Sequence, residues 1–168
     1  AYCVSIGVLE DGRPHVGVAY DPTRDELFHA VCGHGAFRDD VRIYVRTVPL
    51  TEYSLFGYSS RFIGAAPPHI LAMLERFDEY RNFGSAVLHL CYTACGWLDG
   101  AFADSTKLWD IAAGGLILQE AGGQIMDFSL DPLFPLAHDL SHYEKTFLPF
   151  VATGGCADLT PLCGIFGR

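Results

Sequence analysis

The stretch "KLWDIAAGGLILQEAGGQIMDF", Lys107 to Phe128, decides how this chain folds. After Trp109-Asp110, the segment "IAAGGLILQEA" is an apolar run of helical length, Gly122 and Gly123 end it, and "GQIMDF" follows as a strand. The spacing predicts a helix over about 110–121. Asp110 falls in its first turn, where the positive end of the helix dipole favours a carboxylate. Taken alone, an Asp in that place is a helix-start residue and nothing more.

Upstream, "RNFGSAVLHL" (81–90) repeats the grammar: a strand-like approach, then Gly84-Ser85-Ala86 opening an apolar helix. Small residues at a helix start let an anionic or polyhydroxyl ligand come close to free backbone N–H groups, although an N-capping role for Ser85 explains the pattern equally simply. Together, an anion-receptive helix start and one carrying a carboxylate able to hold a hard cation suit a metal-assisted phosphate site.

The first fifty residues differ. Tyr2, Val4, Ile6 and Val8 alternate with smaller residues, "EDGRP" turns the chain, and "HVGVAY" returns. "DELFHAV", "GAFR" and "IYVRTV" continue as short strands between Gly and Asp turns, which predicts an antiparallel meander. "SLFGYS" is a further strand, and "PPHILAMLERFDEYRN" is helical, with Ile70, Leu71, Met73, Leu74 and Phe77 at compatible spacings. Helices and strands then alternate through "GSAVLHLCYTACG", "LDGAFA", the opening stretch and "PFVATG" to a short terminal helix. The fold class is therefore α/β: a meander followed by an alternating α/β lobe, with the composition shift near 60–67 dividing residues 1–62 from 63–168.

Composition narrows the function. A 168-residue chain buries a proper core, and no run approaches the length of a membrane span. A formal charge of -9 disfavours nucleic acid, whose affinity for proteins comes mainly from Lys and Arg on phosphates. The six cysteines contain no C-x-x-C pair and read as reduced core residues of a cytoplasmic protein, with Cys91 and Cys95 on one helix face. His138 and His142 have helical spacing, but "HDLSH" lacks the internal Glu of a zinc-protease motif. "DPTRD", Asp21 to Asp25, reads as a solvated β-turn, and Lys107 as a solvated cation near the site.

Those residues carry a resemblance. "GSAVLHLCYTACGWLDGAF...WDIAAGGLILQEAGG" resembles the C-terminal signature of the inositol monophosphatase family, Mg2+-dependent and lithium-sensitive sugar phosphatases. "RNFGSA" is similar to its Arg...Gly-Ser/Thr-Ala element, and "VSIGVLEDGRPHVGVAYDPTRDELFHAVCGHGAF" to the meander between the family's two motifs. The similarity runs from Ala1 to about Leu162. It implies a layered α+β sandwich of the inositol monophosphatase and fructose-1,6-bisphosphatase type, Mg2+ as cofactor, a homodimer, and a small phosphorylated substrate, with neither nucleic acid nor membrane as partner.

By the same resemblance Asp110 is a metal ligand, and Gly84, Ser85, Ala86, Asp104 and Asp110 contact substrate. Two departures accompany it. The family's first metal-binding element, a Glu followed by Asp-Pro-Ile/Leu-Asp-Gly-Thr, has no counterpart in this sequence, which leads us to expect chain upstream of Ala1. Where many relatives place a substrate-binding Glu, this chain has Ala103, with Asp104 beside it. Three readings follow: inositol phosphate hydrolysis; 3'(2'),5'-bisphosphate nucleotidase or fructose-1,6-bisphosphatase activity within the same family; or a catalytically silent member acting in binding or dimerisation.

Overall fold

A computed structural model describes residues 1–59, 65–137, 142–156 and 158–167. The expected 62/63 division and His138 lie outside the described residues. The chain opens with five strands, β1 (Val4–Glu10), β2 (Arg13–Asp21), β3 (Glu26–Val31), β4 (Gly35–Arg38) and β5 (Val41–Ile43). They form one antiparallel meander in sequence order.

The second half comprises β6 (Leu55–Tyr58), α1 (Pro68–Arg76), β7 (Glu79–Arg81), α2 (Ala86–Ala94), β8 (Gly100–Ala103), α3 (Leu108–Glu120), β9 (Gln124–Met126), β10 (Phe150–Thr153) and α4 (Thr160–Cys163). Its strands form a mixed sheet in the order β7-β6-β8-β10-β9, parallel on both sides of β6 and antiparallel on both sides of β10.

Helices α2 and α3 fill the space between the two sheets. Their Leu88, Leu90, Cys91, Ile111 and Ile117 form one core with Ala19, Phe28 and Ala30 of the meander and Ala101, Ala103, Phe150 and Ala152 of the mixed sheet. The alternate residues of those mixed-sheet strands, Phe56, Phe102 and Val151, point the other way, into a second core with Ile70, Met73 and Phe77 of the α1 segment and Leu162 and Phe166 near α4. Period-two alternation along a strand thus feeds two cores and produces the layered α+β sandwich.

Small residues let α3 come close to the meander. A Cβ on Gly7 would lie 2.7 Å from the Ala112 methyl, and one on Gly17 would lie 2.8 Å from the Ala113 carbonyl oxygen. The alternation noted in β1 is therefore present, but its smaller members, Ser5 and Gly7, face the helix. Val4, Ile6 and Val8 face outward, Ile6 being 59% exposed, whereas Tyr2 precedes the strand. Register places Val4, Tyr20 and Leu27 side by side, then Ile6, Val18 and His29, then Val8, Val16 and Val31. The outer face of the meander is accordingly almost wholly apolar, unlike an antiparallel sheet with one wet face.

The structure corrects four expectations. "IYVRTV" gives only the end of β5 at Ile43, because the Val45 amide turns to the Ala121 carbonyl at 3.0 Å and Arg46 pairs with Asp99 at 3.3 Å. The helix expected through Asn82 stops at Arg76, and "EYR" pairs with β6 as a parallel strand. Asp21 is not solvated: it is 0% exposed, accepting from the Thr23 amide at 2.8 Å and hydroxyl at 2.5 Å and from the Tyr92 hydroxyl at 3.4 Å. Burial raises its carboxyl, but the Thr23 hydrogen bonds outweigh that and hold it below the usual carboxylate range. The cysteines are all free thiols, yet only Cys91 and Cys156 are core residues, while Cys32 and Cys163 are exposed. Among the described residues, no helix is long and apolar enough to cross a membrane.

Candidate functional site

α3 starts where Lys107 adopts an extended backbone, φ -112° and ψ 167°. Its amide donates to Asp110 Oδ2 at 2.8 Å, so the carboxylate reaches back one turn and caps the helix. That leaves Oδ1, which carries no hydrogen bond among the described residues. Asp110 is half-buried, and the residues before it set its surroundings: Ser105 and Thr106 precede the helix, and the Thr106 hydroxyl is fixed on the Leu148 carbonyl.

α2 starts in a different way. Ser85 is extended, φ -142° and ψ 117°, and its hydroxyl accepts from the Leu88 amide at 3.3 Å. Gly84 before it has φ +81°, a left-handed conformation that favours glycine, and its amide donates to Asn82 Oδ1 at 2.8 Å. Helix geometry leaves the amides of Ala86 and Val87 with no intrahelical acceptor.

Both starts open onto one cleft of about 550 Å³, whose wall includes Gly84, Ser85, Ala86, Val87, Ser105, Thr106, Trp109 and Asp110. Four of the five residues singled out in the sequence are thereby brought together. Asp104 is not part of this wall; it is half-buried at the end of β8. Lys107 is not in the wall either, its ammonium lying 3.9 Å from the Phe147 ring centroid and 3.3 Å from the Thr146 carbonyl oxygen.

The cleft also recruits residues that sequence reasoning did not assign. Cys3 and Ser5 come from the meander, Ser59 from the end of β6, and Asn82 from the turn before α2. Only Asn82 left a local signal, an Asn two residues before a Gly, the pattern of a side chain bonding its own backbone. Cys3 Sγ lies 3.6 Å from Ser85 Oγ, and burial pushes its thiol above the usual range, so it stands as a neutral group in the wall.

The lining combines small hydroxyls, the Asn82 side chain, the start of α2 and the Asp110 carboxylate with Tyr2, Cys3, Val87 and Trp109. Such a surface can bind a polyhydroxyl or anionic group through several short polar contacts. It does not by itself make a cation site: among the described residues, no three His, Cys, Asp or Glu side chains stand close enough to hold a metal ion.

Residues 1–147 match the inositol monophosphatase family. The chain is 42% identical over 134 residues to a protein of Pasteurella multocida named Nus factor SuhB, covering 76% of this chain and 50% of that one. It is 37% identical over 135 residues to Inositol monophosphatase 2 of Saccharomyces cerevisiae, covering 72% and 46%. The solved inositol monophosphatase of Anabaena superposes with a TM-score of 0.74 at 32% identity, over 92% of this chain and 60% of that one. The chain spans about half the length of the curated relatives it matches.

Proposed function

The chain belongs to the inositol monophosphatase family, and from that premise we propose that the native protein hydrolyses a phosphate monoester of inositol or a related sugar with Mg2+ as cofactor. The observation carrying this reading is the convergence of two helix starts, Gly84 to Val87 and Asp110, on one cleft.

Phosphate monoesters react so slowly with water that enzymes supply up to about 10²¹-fold acceleration. A bound divalent cation supplies charge neutralisation and an acidified water for that task. The residues of this chain act on the substrate side. The amides of Ala86 and Val87 and the hydroxyl of Ser105 receive sugar hydroxyls or phosphate oxygens, and Gly84 keeps the approach open. Among the described residues of the cleft wall, Asp110 supplies the one carboxylate toward a cation or a sugar hydroxyl, and the remaining ligands belong to the family's Glu and Asp-Pro-x-Asp-Gly-Thr element. The reading extends to lithium sensitivity, a cytoplasmic homodimer, lobes divided at 62/63, and no nucleic-acid or membrane partner.

A second reading, a catalytically silent member acting in binding or dimerisation, is favoured by the lone carboxylate and by Ala103. A relative named as a Nus factor adds to it. The experiment is a turnover assay of the native protein with inositol monophosphate, a nucleotide 3'-phosphate and fructose 1,6-bisphosphate. Mg2+-dependent, Li+-sensitive hydrolysis lost in Asp110→Asn supports the phosphatase reading and identifies the substrate. No turnover of any of the three overturns it in favour of the binding reading.

A further inference from the structure

The turn that opens α2 is held from inside the core. The Phe83 amide, immediately before Gly84, donates to His89 Nε2 at 3.0 Å. His89 is 0% exposed. Its own backbone is fixed at both ends, the amide on the Ser85 carbonyl at 3.1 Å and the carbonyl under the Thr93 hydroxyl at 2.8 Å. Its ring lies 5.6 Å from the Phe83 ring, and the space beside it is so tight that a Cβ on Gly57 would come within 2.8 Å of the imidazole.

Packing does not explain an imidazole here. Because Nε2 accepts a hydrogen bond, the neutral ring carries its proton on Nδ1, and Nδ1 is buried with no partner among the described residues. A leucine would occupy similar space without leaving a buried donor unpaired. What the imidazole adds is an acceptor at the one point where the Phe83 amide needs it.

We propose that His89 is a positioning residue for ligand binding: its Nε2 holds the Phe83 amide, and through it the Asn82 to Ser85 turn that presents the start of α2 to the cleft. The ligand it serves rests on the phosphatase reading above; the hold on Phe83 does not. Without that acceptor the Phe83 amide turns toward water, which rotates the backbone entering Gly84 and displaces the Ala86 and Val87 amides from the cleft wall. Burial pushes the His89 imidazole down to about 4, so Nε2 stays an acceptor at neutral pH.

The test compares the native protein with His89→Leu and His89→Gln, following steady-state kinetics on inositol monophosphate and hydrogen exchange of the Phe83 amide. His89→Leu is expected to raise KM by about tenfold, the loss of one positioning contact, with little change in kcat and with faster Phe83 exchange. His89→Gln, whose side-chain carbonyl reaches the place of Nε2, restores both. Should His89→Leu fail to accumulate, His89→Asn, polar but too short to reach Phe83, takes its place with the same expectation. A glutamine variant as impaired as the leucine one, or a leucine variant with unchanged KM and unchanged exchange, overturns the proposal. If the wild type shows no turnover, the phosphatase reading fails separately, and exchange alone decides: protection in wild type and His89→Gln but not in His89→Leu upholds the hold on Phe83, and equal protection in all three overturns it.

Discussion

The amide of Lys107 donates to Asp110 Oδ2 at 2.8 Å, so the carboxylate that caps the start of α3 belongs to a residue of the cleft wall. The two roles separate by substitution. Asp110→Asn keeps an acceptor for the Lys107 amide, whereas Asp110→Ala keeps none. In the native protein both are expected to lower turnover by orders of magnitude. Only the alanine variant should also lose roughly 0.5–2 kcal/mol of stability, the usual worth of a helix-start cap. Paired thermal melts and Mg2+ titrations check this, and an asparagine variant with wild-type metal dependence would return Asp110 to a capping role alone.

Gly84 is constrained by its backbone, since a Cβ there would meet nothing nearer than the Ala1 carbonyl oxygen at 3.5 Å, while φ is +81°. Gly84→Val forces a β-branched residue into the left-handed region, at a cost of about 1–3 kcal/mol. KM should rise with it, and the metal dependence should change less. Gly84→Asn, which tolerates that conformation, should lie between the two. Equal KM for all three proteins would show that the turn does not shape the ligand's approach.

His89 makes stability depend on pH. Its imidazole titrates near 4 in the folded protein because burial disfavours the charged form, against 6.5 as its ordinary value. On acidification the unfolded chain therefore takes up this proton first. The contribution is undiminished above about 6.5 and is lost between there and about 4, at no more than about 1.4 kcal/mol per pH unit. The difference in Tm between wild type and His89→Gln should move in favour of the glutamine variant across that window. A constant difference would refute the assignment.

The 168 residues expressed alone should show little or no phosphatase activity, because one carboxylate does not hold Mg2+ well. They should also associate through the open face of Val4, Ile6, Val8, Val18 and Val31, since monomers rarely leave contiguous apolar patches larger than a few hundred Å² exposed. Ile6→Thr with Val18→Thr should weaken dye binding and association while leaving the Tm near that of the parent. A monodisperse parent monomer that binds no hydrophobic dye would contradict this.

Much of this organisation was legible in the sequence, for physical reasons that differ by element. The meander showed itself because Gly and Asp turns and period-two apolar residues are local signals. Helices α2 and α3 showed themselves because each is apolar all round, as a layer between two sheets must be. β7 did not, since three residues at the end of a helical pattern become a strand only when β6 lies alongside. "IYVRTV" has strand composition throughout, yet partners at Ala121 and Asp99, far away in sequence, draw its second half out of the sheet. The candidate site divided in the same way. Gly84 to Ala86 and Asp110 were visible because helix starts carry local grammar. Cys3, Ser5 and Ser59 reach the cleft only through tertiary folding, and the buried state of Asp21 depends on Tyr92 in α2.

The two walls of the cleft belong to one layer. α2 and α3 are gripped by the meander on one side and the mixed sheet on the other, and they share a single core. Among the described residues, the bodies of α2 and α3 cannot swing without dragging each other and both sheets, so these two walls have no hinge between them. Ligand capture at this end is governed by encounter and desolvation, with little reshaping of these walls, and any slow gating step in the native protein has to arise in elements other than these two helices.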